Sequence, residues 1–350
     1  MKQGHSFWFM LVIGAIVSIV LVSTLHERFV EKPTVVTVDN LLLGTLVEIE
    51  AWGEQLDEPS LRSAIQRAFD AIAKVESEMS LNIDGSAVRR INDAAGQGNV
   101  SVPASLIAVF NCAAQVSALS GGAFDVTIGA VHSLWDFTSG NEAKPPDAEA
   151  IKRNLQYVDY RRVEFSATSG TVRLPIGGMR LDLGGIAKGY AVDVASRALT
   201  DAGVHNFILN AGGDMFVSGR RPDGKKWRIG VRHPRQAGEL MCTLFVTDLA
   251  VVTSGDYERF FEYEGKRYHH ILDPATGYPA GACQSVTVVA KEAMVAQALA
   301  KAVFVMGPSR GLQLADRLDG VEALVVDADG KDWHSRGFGE FLPGGPMGSP

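Results

Sequence analysis

The sequence predicts an α+β chain, with helices packed on a mixed, mainly antiparallel sheet and one apolar N-terminal helix ahead of it. Three observations carry this. Segments with apolar residues at helical spacing are mixed with short runs rich in β-branched residues. The 350 residues are 46% hydrophobic and 21% charged, enough for a sizeable core in one big domain or two close lobes. An almost unbroken apolar run also stands at Phe7–Leu25.

In chain order, that run comes first. At the helical rise of about 1.5 Å per residue it reaches roughly 28 Å, close to a bilayer's hydrocarbon thickness. A cleaved secretory signal has a shorter apolar region with a small-residue site behind it, and Val22-Ser23-Thr24 is a poor one. The segment therefore reads as an anchor, with Lys2 before it and Glu27, Arg28, Glu31 and Lys32 behind, charges that scarcely fix its orientation. A linker over 27–38 follows. Leu41–Ala51 alternates like a strand, and Ser60–Ser80 places Leu61, Ile65, Phe69, Ile72 and Val75 on one helical face. Helical patterns return at Leu106–Ser120, Ala191–Ala202, Met294–Val305 and Arg310–Arg317. Strands are expected at Asn206–Asn210, Trp227–Val231, Leu244–Val252, Gln284–Val289 and Glu322–Val326. The organisation is then an anchor over 1–26, a linker over 27–38, one domain over 39–336 and a flexible glycine- and proline-bearing tail over 337–350.

A net charge of −7 argues against a nucleic-acid partner, whose binding needs clustered positive charge, and no basic stripe stands out in the body of the chain. The three cysteines, Cys112, Cys242 and Cys283, are too few and scattered for a disulfide framework or zinc site and read as small buried residues.

The chemistry concentrates in Thr253-Ser254-Gly255-Asp256-Tyr257 and in the run Tyr268 to Gly277, which holds His269, His270, Asp273, Pro274 and Thr276. Alone, Asp273-Pro274 with Thr276-Gly277 is a hairpin tip. Gly-Asp clusters recur at Gly122–Thr127, Leu181–Tyr190 and Asn210–Asp214. Several such loops, each closing a hydrophobic segment, point to one polar cleft on a rigid scaffold.

The order Leu43-Gly44-Thr45, Met79-Ser80, Gly122–Thr127 with Leu134-Trp135, Asp182–Asp193, Gly212-Gly213-Asp214, Thr253–Asp256 and His270–Pro274 resembles the ApbE family of FAD:protein FMN transferases, from about Asn40 to Gly307. The resemblance implies an ApbE-like fold and an enzyme that moves FMN from FAD to a threonine of a partner flavoprotein, releasing AMP. It also implies a single-pass protein of a bacterial inner membrane, facing the periplasm, with a membrane redox subunit as acceptor. Carried over position by position, it implies that Leu43, Asn82, Ala123, Phe124, Asp125, Asp182, Lys188 and Ile271 line the FAD pocket and that His270 is the general base. An imidazole suits that role, its ordinary pKa being about 6.5. Other roles are open to the same residues: Phe124 as core, Asp182 as a helix cap, His270 as a hydrogen-bonded strand residue. In an extended segment only one of His269 and His270 faces the cleft.

The likeness breaks at one helix. The family reads Ala-Asp-x-x-x-Thr there and binds magnesium with the Asp, the Thr and a backbone carbonyl at the position of Gly185. This chain reads Ala296-Gln297-Ala298-Leu299-Ala300-Lys301. Magnesium prefers hard, anionic oxygen ligands, so a neutral amide and a cation one turn apart should weaken that site severely. Leu43 replaces a usual methionine and Asn82 a common aromatic. Lys301 joins the expected pocket as a point charge for the pyrophosphate. The other reading is a non-catalytic, membrane-tethered FAD-binding protein serving a redox complex as flavin carrier.

Overall fold

A computed structural model describes residues 33–139 and 142–344. The anchor over 1–26 and the last six residues lie outside the described residues. Two strands, β1 (Thr34–Leu42) and β2 (Thr45–Gly53), open the body as a hairpin. Leu43 and Gly44 form its two-residue turn at φ 57° and 67°, the paired positive-φ geometry that suits a tight hairpin. The strand expected over 41–51 is thus two strands. Leu-Gly lacks the Asn-Gly signature that would have announced the turn. The linker expected to 38 likewise gives way to sheet at Thr34.

Helix α1 (Glu58–Met79) starts where Asp57 accepts from the Ser60 N–H at 3.0 Å and Pro59 occupies the first turn. Then come α2 (Ala87–Asp93), β3 (Val100–Ser101), α3 (Ala104–Leu119), α4 (Gly129–His132), α5 (Ala148–Leu155), β4 (Glu164–Ser166), β5 (Thr171–Arg173) and α6 (Ala187–Asp201). The rest comprises β6 (Asn206–Ala211), β7 (Asp214–Ser218), β8 (Trp227–Arg232), β9 (Leu240–Val246), β10 (Leu249–Gly255), β11 (Phe260–Tyr263), β12 (Lys266–His269), β13 (Cys283–Ala290), α7 (Ala293–Ala315), β14 (Glu322–Asp327) and β15 (Asp332–His334). The strand expected over 244–252 is the β9–β10 hairpin, turned at Asp248 with φ 54°. Helix α7 breaks at Gly307, φ 77°, just before Pro308.

Eight strands form one sheet in the order β1-β2-β6-β7-β10-β13-β14-β15, antiparallel at every pairing. Helices α1, α6 and α7 cover one face through Val47, Ile49, Ile65, Phe69, Val192, Val288 and Phe304, all buried. The β8–β9 ribbon covers part of the other face, packing Trp227, Ile229 and Leu244 on Trp52, Val217 and Val251. Phe338, at the start of the expected flexible tail, is 1% exposed in that cluster, so the packed body runs past residue 336. A third cluster joins Val131, Trp135 and Ile151 to Phe261 and Leu272, tying α4 and α5 to the β11–β12 hairpin.

Where α6 crosses the start of α7, two contacts set their spacing. The Asp193 carboxylate accepts from the Ala293 and Met294 N–H groups at 2.7 and 2.9 Å, capping α7 from a neighbouring helix. At Gly189 an added Cβ would drive into the Ala293 carbonyl, 2.6 Å from its carbon. Gly189→Ala is therefore expected to cost about 1–3 kcal/mol of stability or more. A urea melt checks this, and an unchanged midpoint would show that the crossing has slack.

Candidate active site

The loops at the ends of β1, β6 and β12, with the loop before α6 and the middle of α7, bring several of the expected residues near one another. Leu43 occupies the β1–β2 turn, half-buried against the core. That turn leans on the next loop: a Cβ on Gly212 would lie 3.0 Å from Thr45 Cβ, at a backbone φ of 59° that already requires glycine.

His270 follows β12. Its neighbour His269 is buried at 5% exposure, with Nε2 2.9 Å from the Ala280 carbonyl. Burial pushes the His269 imidazole down to about 4. His270 instead lies against α7, its Nε2 3.3 Å from Lys301 Nζ, and its Nδ1 3.3 Å from the Arg259 carbonyl. Burial first, then the charge of Lys301, pushes His270 well below its ordinary value, so it is neutral at pH 7. With Nδ1–H donating to Arg259, the lone pair of Nε2 accepts from the Lys301 ammonium.

Lys301 is itself perturbed. Burial pushes its amine down to about 8, Asp214 draws it up and the Lys188 charge opposes it. Lys188 pairs with the buried Asp214 at 3.0 Å. Arg259, exposed, adds positive charge felt by His270, Lys301 and Asp182. Lys188, Arg259 and Lys301 thus converge from three separate elements.

Asp182 stands across the cleft. His132 Nδ1 is 2.9 Å from its Oδ2, and the Gly184 N–H donates to Oδ1 at 2.7 Å. Burial pushes the carboxyl up, but the hydrogen bond and charge of His132 outweigh it and hold Asp182 below its ordinary value. The bond to Gly184 makes a local turn before α6, not an N-cap of that helix. Gln297, 2% exposed, bridges the same loop to α6. Its Oε1 accepts from the Gly189 N–H at 2.9 Å and its Nε2 donates to the Gly184 carbonyl at 3.2 Å. Phe124 and Lys301 close over Gly185, where a Cβ would meet Phe124 Cε2 at 3.1 Å and Lys301 Cγ at 3.5 Å.

Other expected residues sit differently. The Asp125 carboxylate is buried and occupied, accepting from Thr127 N at 2.7 Å and Tyr160 N at 2.8 Å, so it ties two loops together. Burial raises its pKa against those bonds. Ile271 is core, 3% exposed. Phe124 is mostly core too, at 6%, with Ala123 half-buried beside it. Asn82 is exposed in the turn after α1, where its N–H donates to Ser80 Oγ at 3.1 Å. Asp256 forms a bidentate pair with Arg235 at 2.7 and 2.6 Å, and the Asp273–Gly277 turn receives the Trp135 indole on its Gly277 carbonyl at 3.1 Å. These two motifs are scaffolding. The cysteines are free, Cys112 and Cys283 buried and Cys242 half-buried.

Three functional candidates escaped the sequence: His132, Arg259 and, as a charge partner, Asp214. His132 and Arg259 stand alone in unremarkable local sequence, and only the fold brings them to the cleft.

A magnesium ion fits this helix poorly. The Gln297 amide presents its N–H donor to the Gly184 carbonyl, one residue before the position expected at Gly185, and Lys301 presents an ammonium one turn on. Among the described residues no group of three His, Cys, Asp or Glu side chains is placed to hold a metal.

Residues 43–325 match the model of the ApbE family. Among curated proteins, the FAD:protein FMN transferase of Treponema pallidum is 35% identical over 304 residues, 83% of this chain and 83% of its own. That of Vibrio cholerae is 33% identical over 298 residues, covering 82% and 86%. Among solved structures, the ApbE protein of Thermotoga maritima superposes with a TM-score of 0.81 at 33% identity, over 89% of this chain and all of its own. The Vibrio cholerae flavin transferase ApbE gives 0.78 at 30% identity, over 89% and 100%.

Proposed function

The chain belongs to the ApbE family, and from that membership we propose that it is an FAD:protein FMN transferase acting on a threonine of a partner flavoprotein. The observation that carries the reading is the meeting of a neutral imidazole, His270, with three cations, Lys188, Arg259 and Lys301. Attack of a hydroxyl on a pyrophosphate needs a base at the hydroxyl and positive charge at the phosphates. The threonine Oγ attacks the phosphorus of the FMN half, and the P–O bond to the AMP half breaks. His270 Nε2 takes the threonine proton and AMP leaves with the bonding pair. Before FAD binds, Nε2 is covered by the Lys301 ammonium at 3.3 Å. The diphosphate draws that ammonium away and frees the lone pair. Asp182, held ionised by His132, binds donors of the FAD, and Leu43, Asn82, Ala123 and the edge of Phe124 line its path.

No step runs through a metal. Magnesium is usual in the family, but the Gln297 amide and the Lys301 cation replace its anionic and hydroxyl ligands, and Lys301 supplies part of the charge the ion would bring. The acceptor is a membrane redox subunit. The chain is held in a bacterial inner membrane by residues 7–25, with its main domain in the periplasm. The length and apolarity of that run support this; among the described residues no helix is long and apolar enough to cross a membrane.

The pH dependence tests the assignment. An ordinary lysine keeps its charge to about 10.4, whereas Lys301 loses its proton as pH rises through about 8. Single-turnover labelling of an acceptor domain at FAD well below saturation, which reports the free enzyme, is expected to fall across that range, and Lys301→Ala to be slower with the fall removed. A wild-type rate that holds level to strongly alkaline pH would contradict the role.

A further inference from the structure

The loop between β7 and β8, with the first two residues of β8, reads Arg220-Arg221-Pro222-Asp223-Gly224-Lys225-Lys226-Trp227-Arg228. It holds five cations and one carboxylate in a chain whose net charge is −7. The overall charge hides it, and the fold turns it into an open groove floored by half-buried Phe245. Arg221 pairs with Asp223 at 3.2 Å. Arg220, Lys225, Lys226 and Arg228 are exposed, and among the described residues none has a carboxylate partner. Two further acids stand at this end: Asp248 accepts from the Gly219 N–H at 2.8 Å, and Glu54, just past the end of β2, is exposed.

Its position gives the cluster meaning. The Trp52 indole donates to the Arg220 carbonyl at 2.8 Å. Trp52 pairs with Val35, and Thr34 with Gly53, so the loop sits where the chain enters β1. In sequence that entry comes nine residues after the apolar run ends at Leu25. From there β1 runs nine residues to the turn at Leu43, about 30 Å at the extended rise. The basic loop and the active site therefore occupy opposite ends of one strand.

We propose that this loop is a membrane-docking surface for anionic phospholipid headgroups, holding the body upright with its active site turned away from the bilayer and toward the acceptor. The orientation rests on the reading that residues 7–25 lie in the same membrane. A cation near an anionic surface strengthens binding about fivefold, so four unpaired ones give roughly 10²–10³-fold. The attraction fades within a Debye length of about 8 Å, so only this end of an otherwise acidic body feels it.

The full chain, placed in discs of phosphatidylcholine or of phosphatidylcholine with phosphatidylglycerol, provides the test by hydrogen exchange of residues 219–228. Exchange is expected to slow several-fold in the anionic discs only, and the slowing to vanish in high salt and in Lys225→Gln/Lys226→Gln/Arg228→Gln, with FAD binding of the variant unchanged. Retention of the chain by anionic discs alone, with the loop protected, supports the docking surface while removing the anchor. Equal exchange in both discs, equal protection in the variant, release from both discs, or protection by an oligonucleotide but not by lipid would overturn the proposal.

Discussion

His270→Ala is expected to slow acceptor flavinylation by about 10²–10⁴-fold, the span typical of a lost general base, while FAD affinity stays within a few fold. The asymmetry follows from where the imidazole acts. In the proposed mechanism its Nε2 serves the attacking hydroxyl, a group absent from the enzyme–FAD ground state, so removing it raises the barrier without loosening FAD. Its burial and the nearby Lys301 charge keep it neutral at pH 7, which makes it ready to accept a proton. Single-turnover mass analysis of the acceptor and flavin fluorescence titration separate the two effects. Asp182→Ala supplies the contrast, because the proposed role of its carboxylate is to hold FAD itself and its loss should be seen in affinity. Transfer at the wild-type rate by His270→Ala would make His270 structural and send the search for a base elsewhere. Intact FAD binding with no transfer by the wild-type chain would favour the flavin carrier.

The second large effect concerns α7. Gln297→Asp with Lys301→Thr is expected to create strong stimulation by magnesium. The change removes an amide donor from the Gly184 carbonyl and an ammonium from the cleft, and supplies a carboxylate and a hydroxyl, the hard oxygen donors magnesium requires. A pyrophosphate under attack must be neutralised by something, and the double variant exchanges a fixed cation for a bound one. Activity of the double variant that ignores magnesium would show that the altered helix does not decide metal use.

Much of this was legible beforehand, for physical reasons. Helices α1, α3 and α6 carry long 3.6-residue patterns, and the strands of the large sheet carry β-branched runs, because each has one face to bury. The Leu43-Gly44 and Asp248 turns were missed: Leu43 is a residue that rarely adopts positive φ, and Asp248 is followed by Leu249, without the glycine that would mark a tight hairpin. At the site, His270 was legible as one of an adjacent pair in which only one could face inward. The fold shows His269 spent on the Ala280 carbonyl. Asp125 and Ile271 lay in the right motifs, yet their side chains serve loop joining and core, distinctions that burial alone reveals. His132 and Arg259 gave no local signal, since their roles come from elements distant in sequence. The basic loop was masked by a net charge of the opposite sign.

The measurement closest to the central claim is the mass of an acceptor domain after incubation with the full chain, FAD and EDTA. A gain of one FMN on a threonine, with release of AMP, is the result expected from a site whose own cations serve the pyrophosphate. An acceptor left unmodified in EDTA, and labelled once magnesium is added, would contradict it.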